Sequence, residues 1–273
     1  MTARAPSRAD GNRLWRVRLP GQRDADGGTV LQKTYGERGS CWHAHARELA
    51  TRLRGGKTST RARGRRATEA RLLALWRAAD LDVPADLSDE HPELAGPTTL
   101  VLQHVPGRLL SEWLADPATP GARRRELLTA WARALHRRLA LALERGEAGL
   151  VQEHGGALHV IVSGERLVGF DLENGFLPRA DLRPLVYKEL AACLRSLARG
   201  RDAAGFRSDL STFAAAFPDR ELLRATARHY LHPASPLDRL IWKLDRRRSQ
   251  RRGGAAGKYH ALEALEAELA SRA

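Results

Sequence analysis

The chain has 273 residues, 42% of them hydrophobic and 29% charged, with a formal net charge of +14. Such a length can bury a substantial core, and no apolar run approaches the ~18 residues of a membrane helix. Two cysteines, Cys41 and Cys193, are too few for a disulfide framework, which makes a cytoplasmic location the expectation. The first residues, MTARAPSRADGNR, are basic and lack the apolar stretch of a secretory signal. Nearly all of the positive charge is arginine, which favours an anionic partner: nucleic acid, an acidic membrane face or a phosphorylated glycolipid. Nucleic acid is the weakest of the three, because no aromatic residues interleave with the basic clusters as stacking platforms.

Residues 1–12 read as disordered. Leu14 to Leu19 alternates apolar and basic residues, a half-exposed strand ended by Pro20-Gly21. The turn at Asp24-Ala25-Asp26-Gly27-Gly28 leads into a second strand, Thr29 to Tyr35. Lys33 sits in its middle; taken alone, such a lysine reads as a solvated edge residue. Residues 36–66 read as a basic connection or a frayed helix start, with the cluster Arg61-Ala62-Arg63-Gly64-Arg65-Arg66. Within them Cys41-Trp42-His43-Ala44-His45 has a metal-ligand spacing, but no second Cys/His pair completes a zinc site. Thr68 to Ala79 carries a helical stripe of Leu72, Leu73 and Trp76, with Glu69 one turn earlier. Asp80 to Pro84 ends that helix. A third strand spans Thr99 to His104, Val105-Pro106-Gly107 connects it onward, and a helix runs around Leu109 to Leu114.

From Ala122 to Glu144 the pattern is one long core helix. His136, within it, reads as structural. A His-rich loop follows, then a hairpin of His159 to Val162 and Arg166 to Phe170 about Ser163-Gly164-Glu165. It delivers Asp171 into the loop Leu172-Glu173-Asn174-Gly175. An isolated aspartate in that position is more often a turn cap than a ligand, and Glu173 reads equally as a metal ligand or a cap. Helices are expected again at Leu185 to Leu197, Asp209 to Phe217 and Leu222 to Tyr230. Trp242 and the arginines after it read most simply as a solvated basic helix with one apolar face, a membrane- or lipid-facing role being the lesser alternative.

Lys33 on a strand, Glu69 on the next helix, a connection at Gln103 to Gly107 and Asp171 after a late hairpin occur in the order kinase chemistry needs. A strand lysine neutralises phosphate oxygens, a helix carboxylate holds that lysine, and an aspartate binds magnesium. Three stretches further resemble the lipopolysaccharide kinase family (Kdo/WaaP type, including InaA-like proteins). They are Val30-Leu31-Gln32-Lys33-Thr34-Tyr35, Arg66 to Leu73 through Val83-Pro84, and Val168-Gly169-Phe170-Asp171-Leu172-Glu173.

The resemblance implies an α+β, protein-kinase-like two-lobed fold. Its small strand-rich N-lobe would span 13–104, and a mainly helical C-lobe 105–273 would carry the catalytic-loop hairpin and a basic tail. It also implies ATP and Mg²⁺ as cofactors, and an anionic glycolipid or sugar as acceptor. The protein would be cytoplasmic, with peripheral contact at the inner face of the inner membrane. Carried over residue by residue, it makes Lys33 the phosphate contact, Glu69 its holder, Gln103 and Val105 the adenine-facing backbone, and Asp171 and His159 the metal ligands.

The departure lies in the catalytic loop. The family places an Asp about five residues before the position of His159, and here that place falls on His154, or on Glu153 if the loop is shifted by one. No Asp lies in residues 146–170. No G-x-G-x-x-G covers the phosphates. The reading is a phosphotransferase with an alcohol acceptor, an ATP-dependent kinase of a lipopolysaccharide core sugar or related glycan. The first competitor is a pseudokinase that binds nucleotide or a partner without transfer, and the second a basic nucleic-acid-binding protein. A small-molecule phosphotransferase of the aminoglycoside type fits less well, because its acceptor site should be acidic.

Overall fold

The structure, a computed structural model, describes residues 12–19, 28–37, 56–199, 201–233, 235, 239–240, 242–247 and 257–271. The Cys41–His45 motif, most of the Asp24–Gly28 turn and the Arg251-Arg252-Gly253-Gly254 stretch lie outside those residues. The chain forms two compact units. One holds Met1–Gly107 with Ala148–Gln152 and Val168–Arg179; the other holds Arg108–Glu147, Glu153–Leu167 and Ala180–Ala273.

The first unit is built on an antiparallel sheet in the order β1 (Asn12–Arg18), β2 (Thr29–Tyr35), β3 (Thr99–Gln103). Leu19 N–H donates to the Gly28 carbonyl at 2.7 Å and closes the β1–β2 hairpin. β2 is therefore the central strand, with Lys33 opposite Leu14 on one side and Leu100 on the other. The edge-residue reading of Lys33 is wrong for that reason: the side chain is buried.

Helix α1 (Ala62–Ala78) follows, and it starts six residues earlier than the Thr68 the sequence suggested. The arginine cluster is its first turns, not a connection. Gly64 hid this start, because a glycine within a helix reads as a break. Here it is required: a Cβ would overlap the Ser59 side chain. Leu72, Leu73 and Trp76 form the buried stripe, and the Trp76 indole N–H donates to the Gly149 carbonyl at 2.9 Å.

The second unit is mainly helical: α2 (Leu110–Ala115), α3 (Gly121–Arg145), α4 (Arg183–Leu197), α5 (Ala203–Ala216), α6 (Arg220–Leu231) and α7 (Lys258–Ser271). α3 ends on Gly146 in the left-handed region, a conformation glycine adopts without a side-chain clash. Trp131 meets Phe213 edge-on at 5.3 Å, and His136 meets Phe217 at 5.2 Å, so His136 is a packing residue. α7 was not legible in the sequence; it buries Tyr259, Ala261, Leu262, Leu265 and Leu269. Asp202 and Asp219 cap α5 and α6 through the backbone N–H groups of Gly205 and Leu222.

A second small sheet has the order β4 (Arg108–Leu109), β5 (Val160–Ser163), β6 (Arg166–Gly169). β4, two residues long, was missed, and His159 lies in a 3₁₀ turn (Ala157–His159) before β5 instead of within the strand. The class is the expected one, α+β, with a small antiparallel strand-rich part followed by a mainly helical remainder.

Candidate active site

Lys33 and Tyr35 are two apart on β2, so their side chains leave the same face of the sheet. Glu69 comes from α1, one turn beyond Arg65. The loop after β6 supplies Asp171 and Glu173. These side chains form one network within the first unit. The Lys33 ammonium donates to Glu69 Oε2 at 2.7 Å and to Asp171 Oδ1 at 2.6 Å, and Glu173 Oε2 lies 3.5 Å away. The Tyr35 hydroxyl donates to Glu69 Oε2 at 2.5 Å. Arg65, fully buried, pairs with Glu173 Oε1 at 3.1 Å and donates to Asn12 Oδ1 at 2.8 Å, while the Asn12 amide donates to Glu173.

Electrostatics follow from this geometry. Burial works against the Lys33 ammonium, but Glu69, Asp171 and Glu173 outweigh it and hold the lysine charged far up the pH scale. Burial pushes the Glu69 carboxyl up, opposed by Lys33. Burial also raises the Tyr35 phenol, which Glu69 reinforces, so Tyr35 stays a donor.

The loop is fixed on both sides of Asp171. Upstream, Gly169 N–H donates to the Asp82 carbonyl at 2.9 Å, and the Gln152 amide donates to the Phe170 carbonyl at 3.0 Å. Downstream, Thr58 N–H donates to the Gly175 carbonyl at 2.9 Å, and a Cβ at Gly175 would press on Leu72, Thr68 and Thr58. Between those points Asp171 takes φ 63°, a left-handed conformation that is uncommon outside glycine, though Asp tolerates it better than most.

Glu69, Asp171 and Glu173 each present a carboxylate oxygen within 4.8 Å of the others. Three carboxylates face two cations, Lys33 and Arg65, which leaves one negative charge in excess. Asp171 is the member that reaches solvent, its side chain 33% exposed against 2% and 3% for Glu69 and Glu173. An oxygen-only donor set with surplus negative charge suits a hard divalent ion such as Mg²⁺. Glu173, buried, is the counter-ion of Arg65 and one of the three clustered carboxylates.

Gln103 and Val105 lie at the end of β3 and just beyond it. The Gln103 N–H is engaged with the Ala85 carbonyl at 2.8 Å, and its side-chain oxygen accepts from Ala85 N–H at 3.3 Å.

The remaining candidates belong to the second unit. Glu153 is buried and lies 3.4 Å from the Lys188 ammonium, whereas the His154 side chain is 63% exposed. Their separation is 3.9 Å. Behind them Arg138 of α3 and Glu189 of α4 form a buried bidentate pair, with 3.1 Å between Nη1 and Oε2. A Cβ on Gly155 would overlap the Glu189 carboxylate, so the loop backbone lies directly on that pair. Ala157 N–H donates to the Ser196 hydroxyl at 3.2 Å. His159, half-buried, closes the 3₁₀ turn through its N–H to the Gly156 carbonyl at 3.0 Å.

Sequence reasoning missed Tyr35, Arg65, Asn12, Arg138 and Glu189. One of them carried a usable signal: Tyr35 shares the Lys33 strand face.

No family model matches the chain, and no curated protein does. Among solved structures it is similar to WaaP in complex with acyl carrier protein, at 15% identity over 88% of this chain and 85% of that one, with a TM-score of 0.45. At that level the likeness carries no functional argument, and the reading below rests on the side chains.

Proposed function

We propose that the chain is an ATP-dependent kinase that phosphorylates a sugar hydroxyl of a lipopolysaccharide core or a related glycan. The observation that carries the reading is the buried Lys33 ammonium, held by Glu69 and Tyr35 and lying 2.6 Å from Asp171. A lysine kept charged in a protein interior, with a partly exposed aspartate beside it, is an arrangement for gripping nucleotide phosphates. Lys33 neutralises phosphate oxygens, while Glu69 and Tyr35 prevent its side chain from wandering. Asp171 would hold the metal, and Val105 would meet the adenine. Bound Mg²⁺ would supply further neutralisation of phosphate charge. His154 or Glu153 would orient the acceptor hydroxyl.

The test is thermal stability of the parent and of Asp171→Ala with ATP, with and without Mg²⁺. A ligand at a hundredfold excess over its Kd stabilises by about 2.7 kcal/mol, a rise of roughly 5 to 10 °C for a chain of this size. The parent should show this rise, and the variant should lose its metal-dependent part. Absence of any shift in the parent would remove the nucleotide-binding reading.

A second reading, a pseudokinase, draws support from Glu153. Its carboxylate is 6% exposed and beside Lys188, which leaves exposed His154 as the accessible base in place of the usual aspartate. Stabilisation by ATP with no phosphoryl transfer to any core-sugar acceptor would favour it.

A further inference from the structure

A short helical segment, Arg239 and Leu240 with residues 242–247, precedes α7 in the second unit. Among its described residues the leucines face solvent. The side turned toward α7 is ionic: Asp245 accepts from the Lys258 ammonium at 2.6 Å and the Tyr259 hydroxyl at 2.8 Å, and Arg246 pairs with Glu263 at 2.7 Å. Trp242 adds an edge-on contact with Tyr259 at 5.8 Å. The side turned to solvent carries Leu240 and Leu244, 55% and 53% exposed, the two most exposed large hydrophobic side chains among the described residues. Arg239, Lys243 and Arg247 are also exposed and recur every four residues along the same face. A row of cations thus runs beside a pair of leucines.

A helix docked on a protein normally buries its leucines and leaves its charges in water. This segment leaves Leu240 and Leu244 in water beside three of its cations, and its ion pairs with α7 fix the orientation. We infer that this face is a docking surface for an anionic lipid bilayer. Of the anionic surfaces that the +14 chain would attract, a bilayer offers both halves of what the face presents. Headgroup phosphates receive Lys243 and Arg247, and the acyl boundary just beneath receives Leu240 and Leu244. A nucleic acid would satisfy the cations and leave the leucines in water. The inference is independent of the kinase reading.

The experiment is co-sedimentation of the full chain with vesicles of phosphatidylcholine containing about one-third phosphatidylglycerol, and with phosphatidylcholine alone. Binding is expected only to the anionic vesicles, and it should weaken as salt is raised. Leu240→Ser with Leu244→Ser leaves the charge unchanged and should lower partitioning about tenfold or more. Lys243→Gln with Arg247→Gln should lower it about tenfold. Both pairs are solvent-facing, so melting temperatures should match the parent, which separates lost docking from lost folding. The proposal is overturned if the parent does not sediment with anionic vesicles, or if the leucine variant binds as well as the parent. It is equally overturned if the leucine change abolishes self-association with no change in vesicle binding.

Discussion

The Lys33 network and the His154 loop solve opposite problems. Around Lys33 nearly every charge is buried and answered by another: Lys33 by Glu69 and Asp171, Glu173 by Arg65 and Asn12. The loop keeps its bracing behind it, in the Arg138–Glu189 pair, and presents His154 to solvent. The first is fixed mainly by buried charge pairs; the second is braced from one side and exposes a side chain on the other.

Lys33→Met strikes the buried charge pairs and should have the largest effect. It strands Glu69 without its cation, and removing one member of a buried pair costs about 3–5 kcal/mol. Burial already pushes the Glu69 carboxyl up, and without Lys33 it will bind a proton more readily in the folded state than in the unfolded one. A carboxyl with a raised folded pKa favours folding at pH values below the ordinary range and loses that contribution as pH rises. The deficit of the variant should therefore be smaller at pH 5 than at pH 8, as read by denaturant unfolding at both. An equal deficit would mean that Glu69 does not depend on Lys33 for its charge.

Gly155→Ala tests the bracing of the loop. Its methyl group cannot coexist with the Glu189 carboxylate in place, so the loop or the buried pair must shift. A loss of about 1–3 kcal/mol is expected, with ATP-dependent stabilisation retained, because the Lys33 network is untouched. Loss of nucleotide binding in this variant would show that the two regions are not separable.

The smallest effect on stability belongs to His154→Ala, within about 0.5 kcal/mol because the side chain is exposed. Its effect on phosphoryl transfer should be far larger than on folding. A variant that keeps full transfer activity would hand the acceptor-orienting role to Glu153.

The contrast also explains what was legible in the sequence. Lys33, Glu69 and Asp171 could be singled out by residue type and order along the chain, and the structure brings the three together. Arg65 could not: it stands among arginines that look alike, and only the fold sets it opposite Glu173, more than a hundred residues later. Arg138 and Glu189 were hidden likewise, each a charged residue on a helix whose periodicity says only that one face is apolar. Whether Glu153 or His154 faces outward is a matter of burial, which a two-residue step in a loop does not encode. The start of α1 was obscured by Gly64, and α7 by its position after a glycine- and arginine-rich stretch.

The backbone of Asp171 carries a consequence for engineering. Its left-handed φ of 63° is a conformation that glycine or asparagine would hold with less strain. The same residue answers the buried Lys33 ammonium at 2.6 Å, so glycine or asparagine would relax the backbone and leave that cation with one partner fewer. Stability-guided redesign of this protein should hold position 171 fixed, since backbone preference and side-chain pairing there call for different residues.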